Sequence, residues 1–335
     1  MPVDKPYAHL VRLLRLAATE SGASAFAVTS PSDEEWRMTY RLASKHAVVG
    51  VAWDGVERLQ AEAPEVLRSM PADLMGKWFA DVQTIEAANS RMAKQAEQVQ
   101  AMLKTGGFDS YIIKGASLAA YYPQPVHRQA ADIDLWVIPS QANHGLLKTC
   151  REKLLAYLKS RDIAVTAVVY HHIETMIDGA DVELHVTPTW LCNPVHNRRL
   201  QRLFVQADEF TPELQEAYAL LHAFRHIYHD GLALRHVLDY YLVCRHNRKM
   251  SITSPQALYG QLGLTRFART MDELSAYLFD NPDAEPISSP AQHLLAAVPQ
   301  RKVSRRVQCD YPSETLCVLP WRTIHYLWRN AHHYL

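Results

Sequence analysis

Apolar residues recur at helical spacing from Tyr7 to about Lys104, as in Leu10, Leu13, Leu14 and Ala17, and again in Trp36, Tyr40, Leu42 and Ala43. The pattern predicts a helical first region over residues 1–105. Pro64 and Pro71 punctuate it, and a polar-faced helix from Ser90 to Lys104 runs into Gly106-Gly107, a helix stop. Short runs rich in β-branched and aromatic residues follow at Ser110 to Ile113, Ile133 to Ile138, Ala164 to Tyr170, Ile173 to Ile177 and Val182 to Val186. A helical stretch from about Ala142 to Ser160 separates the second from the third. Asp178-Gly179 is a hairpin signal, because both residues tolerate positive φ, so the last two strands are expected to be antiparallel. Helical periodicity returns after Pro212 in Leu214, Ala217, Leu220, Leu221 and Phe224, and continues from Leu232 to Cys244. The prolines and weak periodicity from Asn281 to Pro312 predict a long connection or substrate-facing loop, and Leu319 to Leu335 a short closing helix. The order predicts an α+β fold: a small mixed sheet in a core at 106–190, flanked by helical regions at 1–105 and 191–335.

Composition narrows the function classes. At 335 residues with 48% hydrophobic positions the chain has enough apolar matter for a packed interior. Lys plus Arg and Asp plus Glu are both 35, so no global field draws the protein to nucleic acid or an anionic membrane. Five scattered cysteines with no CxxC pair argue against a disulfide framework and a zinc cage. Arg12, Arg15 and Glu20 interrupt the first apolar segment, which does not read as a signal peptide. A span needs about 18 uninterrupted apolar residues, and none exists, so no membrane partner is expected, while the scattered cysteines fit a reducing cytoplasm.

The candidate chemistry lies between Tyr111 and Val137, which reads as strand, turn, helix, loop, strand. In Ile112-Ile113-Lys114-Gly115-Ala116-Ser117 a buried strand ends at a glycine and a helix begins, leaving backbone N–H groups to cradle phosphate. Asp132 and Asp134 are two apart on an expected strand, so their carboxylates share one side, roughly 7 Å apart along the backbone. Ile133 and Leu135 then face the core. Two carboxylates held so close raise each other's pKa unless a cation intervenes. Glu183 and His185 repeat the alternation on a later run; beside the first strand, Glu183 becomes a third ligand or the base for an acceptor hydroxyl. A lone DxD is weak, since exposed edge strands often alternate acids. The glycine turn, the acid strand and a third acid together meet three separate requirements of one reaction.

With those residues in view, the run resembles the bacterial uncharacterised nucleotidyltransferase family and is similar in outline to abortive-infection toxin nucleotidyltransferases. The resemblance covers about Ala101 to Leu242 and is carried by Lys114, Gly115, Leu118, Tyr122, Pro123, Arg128, Asp132, Asp134, Leu135, Glu183, Leu184 and His185. His222, His226, Arg235 and Asp239 echo it, and the stretch with Trp36 and His46 does so more loosely. The resemblance implies a polymerase-β-like core with Gly115 and Ser117 at the triphosphate, Asp132 and Asp134 on magnesium (or manganese), and Glu183 in the third acid position. Ala116 interrupts the Gly-Ser pair common in the wider superfamily, and the third acid is Glu rather than Asp.

Supporting residues carry two readings each. Lys114 either neutralises the triphosphate or is a surface lysine at a strand end. Arg128 either binds a phosphate or braces Asp132. His185, His226, Arg235 and Asp239 are candidates for the cleft between sheet and C-terminal helices, although Arg235 and Asp239 are also spaced to pair with each other. His222 and His226 share a helix face, but without the glutamate of HExxH zinc is not expected there; His171-His172, His229 and His236 add further imidazoles. Basic clusters at Arg198–Arg202, Arg245–Lys249 and Arg301–Arg306 suit either solvated helix ends or an RNA acceptor. The function expected is therefore magnesium-dependent transfer of NMP from an NTP such as ATP to a small-molecule, protein or RNA hydroxyl. The alternatives are a toxin-like enzyme acting on tRNA, with Arg301, Lys302, Arg305 and Arg306 at the acceptor, and an inactive nucleotide-binding scaffold.

Overall fold

The computed structural model describes residues 5–19, 30–140, 147–207, 209–280, 287–301 and 305–311. Helices α1 (Lys5–Ala18), α2 (Asp33–Lys45), α3 (Val49–Glu62) and α4 (Ala72–Thr105) precede the sheet. Pro64 opens a 3-10 turn, Pro64–Ser69, and Pro71 caps the 34-residue α4. Both prolines thus sit where a missing N–H costs no helical bond. Strand β1 (Phe108–Ile112), the single turn α5 (Ala116–Ala119), β2 (Ile133–Pro139), α6 (Leu147–Ser160), β3 (Val165–Val168), β4 (His172–Ile177) and β5 (Ala180–His185) make the core. The helix expected from about Ala142 to Ser160 is α6 from Leu147 on, and residues 142–146 lie outside the described residues.

The sheet order is β1-β2-β5-β4-β3. Only β2 and β5 pair in parallel; β1 with β2, β4 with β5 and β3 with β4 are antiparallel, so the sheet is mixed and the fold α+β. The β4–β5 hairpin turns through Asp178 and Gly179, both at positive φ as the dipeptide predicts.

Each face of the sheet has its own role. Ile133, Leu135 and Val137 of β2, with Val182 and Leu184 of β5 and Ile173 of β4, pack on Ala96, Val99 and Leu103 of α4 and on Leu154 and Leu158 of α6. The opposite face carries Asp134, Glu183 and His185, and beside His185 it carries Trp136, which meets Phe204 and Phe210 edge-on. Over this face lies α8 (Pro212–His226), which follows α7 (Pro194–Gln206) and begins at a Thr211 hydroxyl cap.

The next helices, α9 (Leu234–Lys249), α10 (Gln256–Gln261) and α11 (Thr265–Phe279), share one apolar core with α1 to α3. Buried Arg15 of α1 ties that helix to α11 by donating from Nε and Nη2 to the carbonyl of Leu278, at 3.2 and 2.7 Å.

The expectation of a long loop from Asn281 to Pro312 is corrected. The segment holds α12 (Ser289–Ala297), a 3-10 turn (Val298–Gln300) and α13 (Arg305–Cys309), with Ala291, Leu294 and Val298 buried. Its prolines misled because Pro290 and Pro299 occupy first turns, where helices tolerate them. Lys302, the side chain of Arg305 and the expected terminal helix, Leu319 to Leu335, lie outside the described residues.

A histidine clamp fixes the approach to β2. His127 sits between Asp54 of α3, 2.5 Å from Nδ1, and Glu86 of α4, 2.8 Å from Nε2. Hydrogen bonding to Asp54 raises its pKa to about 9, with burial opposing and Glu86 assisting. Because the folded pKa lies above the unfolded value of about 6.5, the clamp's stabilisation is fully present below that value and is lost as pH rises through about 9. Wild-type protein should lose about 2 kcal/mol across that window by urea unfolding, relative to His127→Gln, whose stability stays flat there.

Candidate active site

Gly115 turns the chain out of β1 at φ 63°, ψ −112°, a conformation that favours glycine, and α5 follows as one turn. That turn aims Lys114 at the acids. Its Nζ lies 3.3 Å from Asp132 Oδ2 and 3.0 Å from Asp134 Oδ2, with its side chain only 17% exposed. Lys114 is therefore not a surface lysine. Asp132 occupies the bend just before β2 rather than the strand itself.

The third acid comes from the parallel neighbour. The β2–β5 register sets Asp134 opposite Glu183 and Trp136 opposite His185. His185 Nε2 bridges the two carboxylates, 3.2 Å from Asp134 Oδ1 and 3.1 Å from Glu183 Oε2. On the far side, β4 places His172 opposite His185 and Glu174 opposite Glu183.

Charges in the cluster perturb one another. Burial works to raise the Asp134 pKa, but the His185 hydrogen bond and the Lys114 charge hold it well below the usual carboxylate range. Burial and then the neighbouring Asp134 push Asp132 up. Burial works to raise Glu183, but the His185 hydrogen bond together with the fields of His172 and His185 leaves it lowered. Lys114 and His185 are raised by the facing carboxylates against the cost of burial.

Divalent cations of the magnesium class take oxygen ligands, and the donor set is one of carboxylates. Asp134 Oδ2 is buried and accepts no hydrogen bond, its nearest cation being the Lys114 ammonium. His185 holds Oδ1 and so orients the carboxylate with Oδ2 left for a cation. The carboxylates of Asp132, Asp134 and Glu183 are donors of the kind such an ion takes, and ligand atoms of Asp134 and Glu183, with one of His185, lie within 4.8 Å of one another.

Two cavities adjoin the cluster and share Lys114. A polar one of about 220 Å³ is lined by Asp134, Glu183 and His185 on the sheet and by Tyr218, His222, Arg225 and His226 on α8. A more apolar one of about 370 Å³ lies beyond Asp132, against Met92, Ala93 and Ala96 of α4, Ala119 and Val126.

Of the expected cleft residues, His185 and His226 reach the polar cavity, and Arg235 and Asp239 do not line it. Arg128 neither braces Asp132 nor is left for a phosphate: buried, it pairs bidentately with Asp239, Nε to Oδ1 and Nη2 to Oδ2 at 2.7 Å each. Tyr122 donates to the same Asp239 Oδ1 at 2.7 Å, and Arg128 Nη1 reaches the Gly115 carbonyl at 3.3 Å. The expected Arg235–Asp239 pairing is replaced accordingly, and Arg235 donates to the Gln129 carbonyl at 2.9 Å. Ser117 directs its hydroxyl back to the Lys114 carbonyl at 3.4 Å.

Sequence reasoning missed Arg225. Its guanidinium lies over the Trp190 ring at 5.0 Å, lines the polar cavity and forms no ion pair among the described residues. The signal was available: Tyr218, His222, Arg225 and His226 recur at helical spacing on the side of α8 opposite its apolar stripe.

Comparison with curated proteins and with solved structures finds no match. A family model does match, described as uncharacterised nucleotidyltransferase and spanning residues 32–280, from the start of the second helix to the end of α11. That span takes in Asp132, Asp134, Glu183, the glycine turn and the covering helix, and the chain belongs to the uncharacterised nucleotidyltransferase family.

Proposed function

We propose that the protein is a magnesium-dependent nucleotidyltransferase that moves an NMP from an NTP to a hydroxyl acceptor and releases pyrophosphate. Family membership supports nucleotidyl transfer from an NTP in general terms. The observation that carries the finer reading is the register of β2 on β5, which sets Glu183 beside Asp134 on the face that also holds Asp132 and Lys114.

Asp132, Asp134 and Glu183 would hold the magnesium, which when bound supplies Lewis-acid charge to the reacting phosphate and to the attacking and leaving oxygens. The chain's own groups do the rest. Arg225 and Lys114 bring two cations to the polar cavity, where the triphosphate is bound and the leaving pyrophosphate neutralised. His185 keeps Asp134 and Glu183 in place through its Nε2. The acceptor oxygen bonds to the α-phosphorus, the bond from that phosphorus to the bridging oxygen breaks, and the acceptor proton passes to a carboxylate oxygen of Glu183 not engaged by His185. The apolar cavity beyond Asp132 offers separate room for an uncharged part of one reactant.

The test is incubation of purified protein with each α-labelled NTP, magnesium, and pools of tRNA, protein and small metabolites in turn. Label is expected in one pool, with pyrophosphate released in equal amount. Absence of label from every pool, together with calorimetry showing no magnesium-dependent NTP binding, would leave only a scaffold. Label confined to tRNA would give the basic clusters their role.

A further inference from the structure

We propose that His171, His172 and His185 form a site for a zinc-class transition-metal cation, open to the polar cavity through its fourth coordination position.

One ring nitrogen from each of the three histidines lies within 4.8 Å of the other two. Their ring centroids are 4.3, 4.9 and 5.4 Å apart. Three imidazoles on one tetrahedral ion, with metal–nitrogen bonds of about 2.0–2.1 Å, place their centroids roughly 5 Å apart, so only small side-chain adjustments separate this arrangement from a closed site.

Tautomers point the same way. His172 Nε2 is 3.2 Å from Glu174 Oε1, and His185 Nε2 bridges Asp134 and Glu183. An ionised carboxylate only accepts, so each Nε2 carries the hydrogen, and Nδ1 is the nitrogen whose lone pair an ion would take, in place of any proton there. Both Nδ1 atoms are buried and make no hydrogen bond. His172 Nδ1 also faces Glu183 Oε2 at 3.5 Å, a lone pair against an anion unless a cation lies close by. A ring that donates one nitrogen to a carboxylate and offers the other is the usual geometry of a metal-binding histidine.

The backbone holds all three in place. His172 and His185 are cross-strand partners on β4 and β5. The carbonyl of His171 accepts from the amides of Val186 and Thr187 at 2.9 and 3.4 Å. Imidazole donors favour zinc, copper, iron or nickel over magnesium, so this site is chemically distinct from the carboxylates beside it. All three residues line the polar cavity, which leaves a position for water or a substrate oxygen, as catalytic zinc sites do.

The other histidine trio, His222, His226 and His236, does not fit. His226 and His236 stack with centroids 3.9 Å apart and planes 20° from parallel, rather than converging on a point. Moreover, His236 Nδ1 accepts the Ala233 amide, which puts the proton on Nε2 and leaves no lone pair.

The experiment is equilibrium dialysis of chelator-stripped, full-length protein against zinc in excess magnesium, without nucleotide, so that its outcome is independent of transfer activity. One equivalent of zinc is expected, and cobalt in its place should give the intense visible bands of a four-coordinate ion. His171→Ala and His172→Ala should each weaken zinc by more than about 100-fold, and Glu174→Gln by about 10–100-fold through loss of the orienting carboxylate. His226→Ala and Asp132→Asn should bind zinc as wild type does. Zinc absent from the wild type, retained by both His171→Ala and His172→Ala, or lost in His226→Ala overturns the site. Should the histidine variants unfold by circular dichroism, the wild-type cobalt spectrum decides, since the weak bands of a six-coordinate ion also overturn it.

Discussion

Replacing Asp134 with Ala is expected to abolish nucleotidyl transfer, lowering the rate by about 10³-fold or more, equivalent to roughly 4 kcal/mol in the barrier. No other described residue is placed to compensate. Asp134 is 1% exposed, meets Lys114 and His185 at once, and lies opposite Glu183 in the parallel register. Its removal eliminates the carboxylate that would share a cation with either neighbouring acid, and Lys114 is left against Asp132 alone. Asp134→Asn separates chemistry from folding, because the amide keeps the volume and can still accept from His185 Nε2. That variant should unfold within a few degrees of wild type while label transfer from α-labelled NTP stays at background. Near-wild-type transfer by both variants would sink the catalytic assignment.

The second large effect is structural. Asp239→Ala should destabilise the protein by about 3–5 kcal/mol, because it leaves the Arg128 guanidinium buried without its carboxylate. The bidentate pair joins residues 111 apart in sequence, and the Tyr122 hydroxyl completes the shell around Asp239. Arg128 also holds the Gly115 carbonyl, so transfer should fall with stability as the turn that aims Lys114 loosens. A double-variant cycle tests the origin of the cost. Arg128→Met combined with Asp239→Leu replaces the pair with apolar groups and should regain much of the lost stability, since the penalty lies in the stranded charge. Urea unfolding midpoints measure it; simple addition of the two single-variant losses would show that the residues do not act as a pair.

The parts of this molecule legible from sequence are those set by local periodicity. Ile133 and Leu135 inward, Asp134 outward, and Glu183 outward between Val182 and Leu184 follow from a repeat of two, and the Asp178-Gly179 hairpin follows from φ alone. The neighbours of each strand are not local. Three elements separate β2 from β5, so their parallel pairing, and with it the meeting of Asp134 and Glu183, could be stated only as a condition. Arg128 was misread for the same reason: Asp132 is near it in sequence, whereas its partner Asp239 arrives from α9. The helices after Asn281 were hidden by prolines that favour first turns as readily as loops. Arg225 was overlooked because the apolar stripe of α8 drew attention from the polar stripe behind it.

The ammonium of Lys114, resting between two carboxylates, makes the acid cluster a guarded site. On the proposed function, an incoming divalent ion would have to evict a tethered monovalent one before the two aspartates could close on it. Metal alone would then be a weak competitor. A metal arriving with a polyphosphate would offer the displaced lysine a new anion to grip, so that the aspartates and the lysine would exchange partners together. Occupancy of the centre would in this way be tied to delivery of the loaded nucleotide, and the idle protein spared from holding a reactive ion without its substrate.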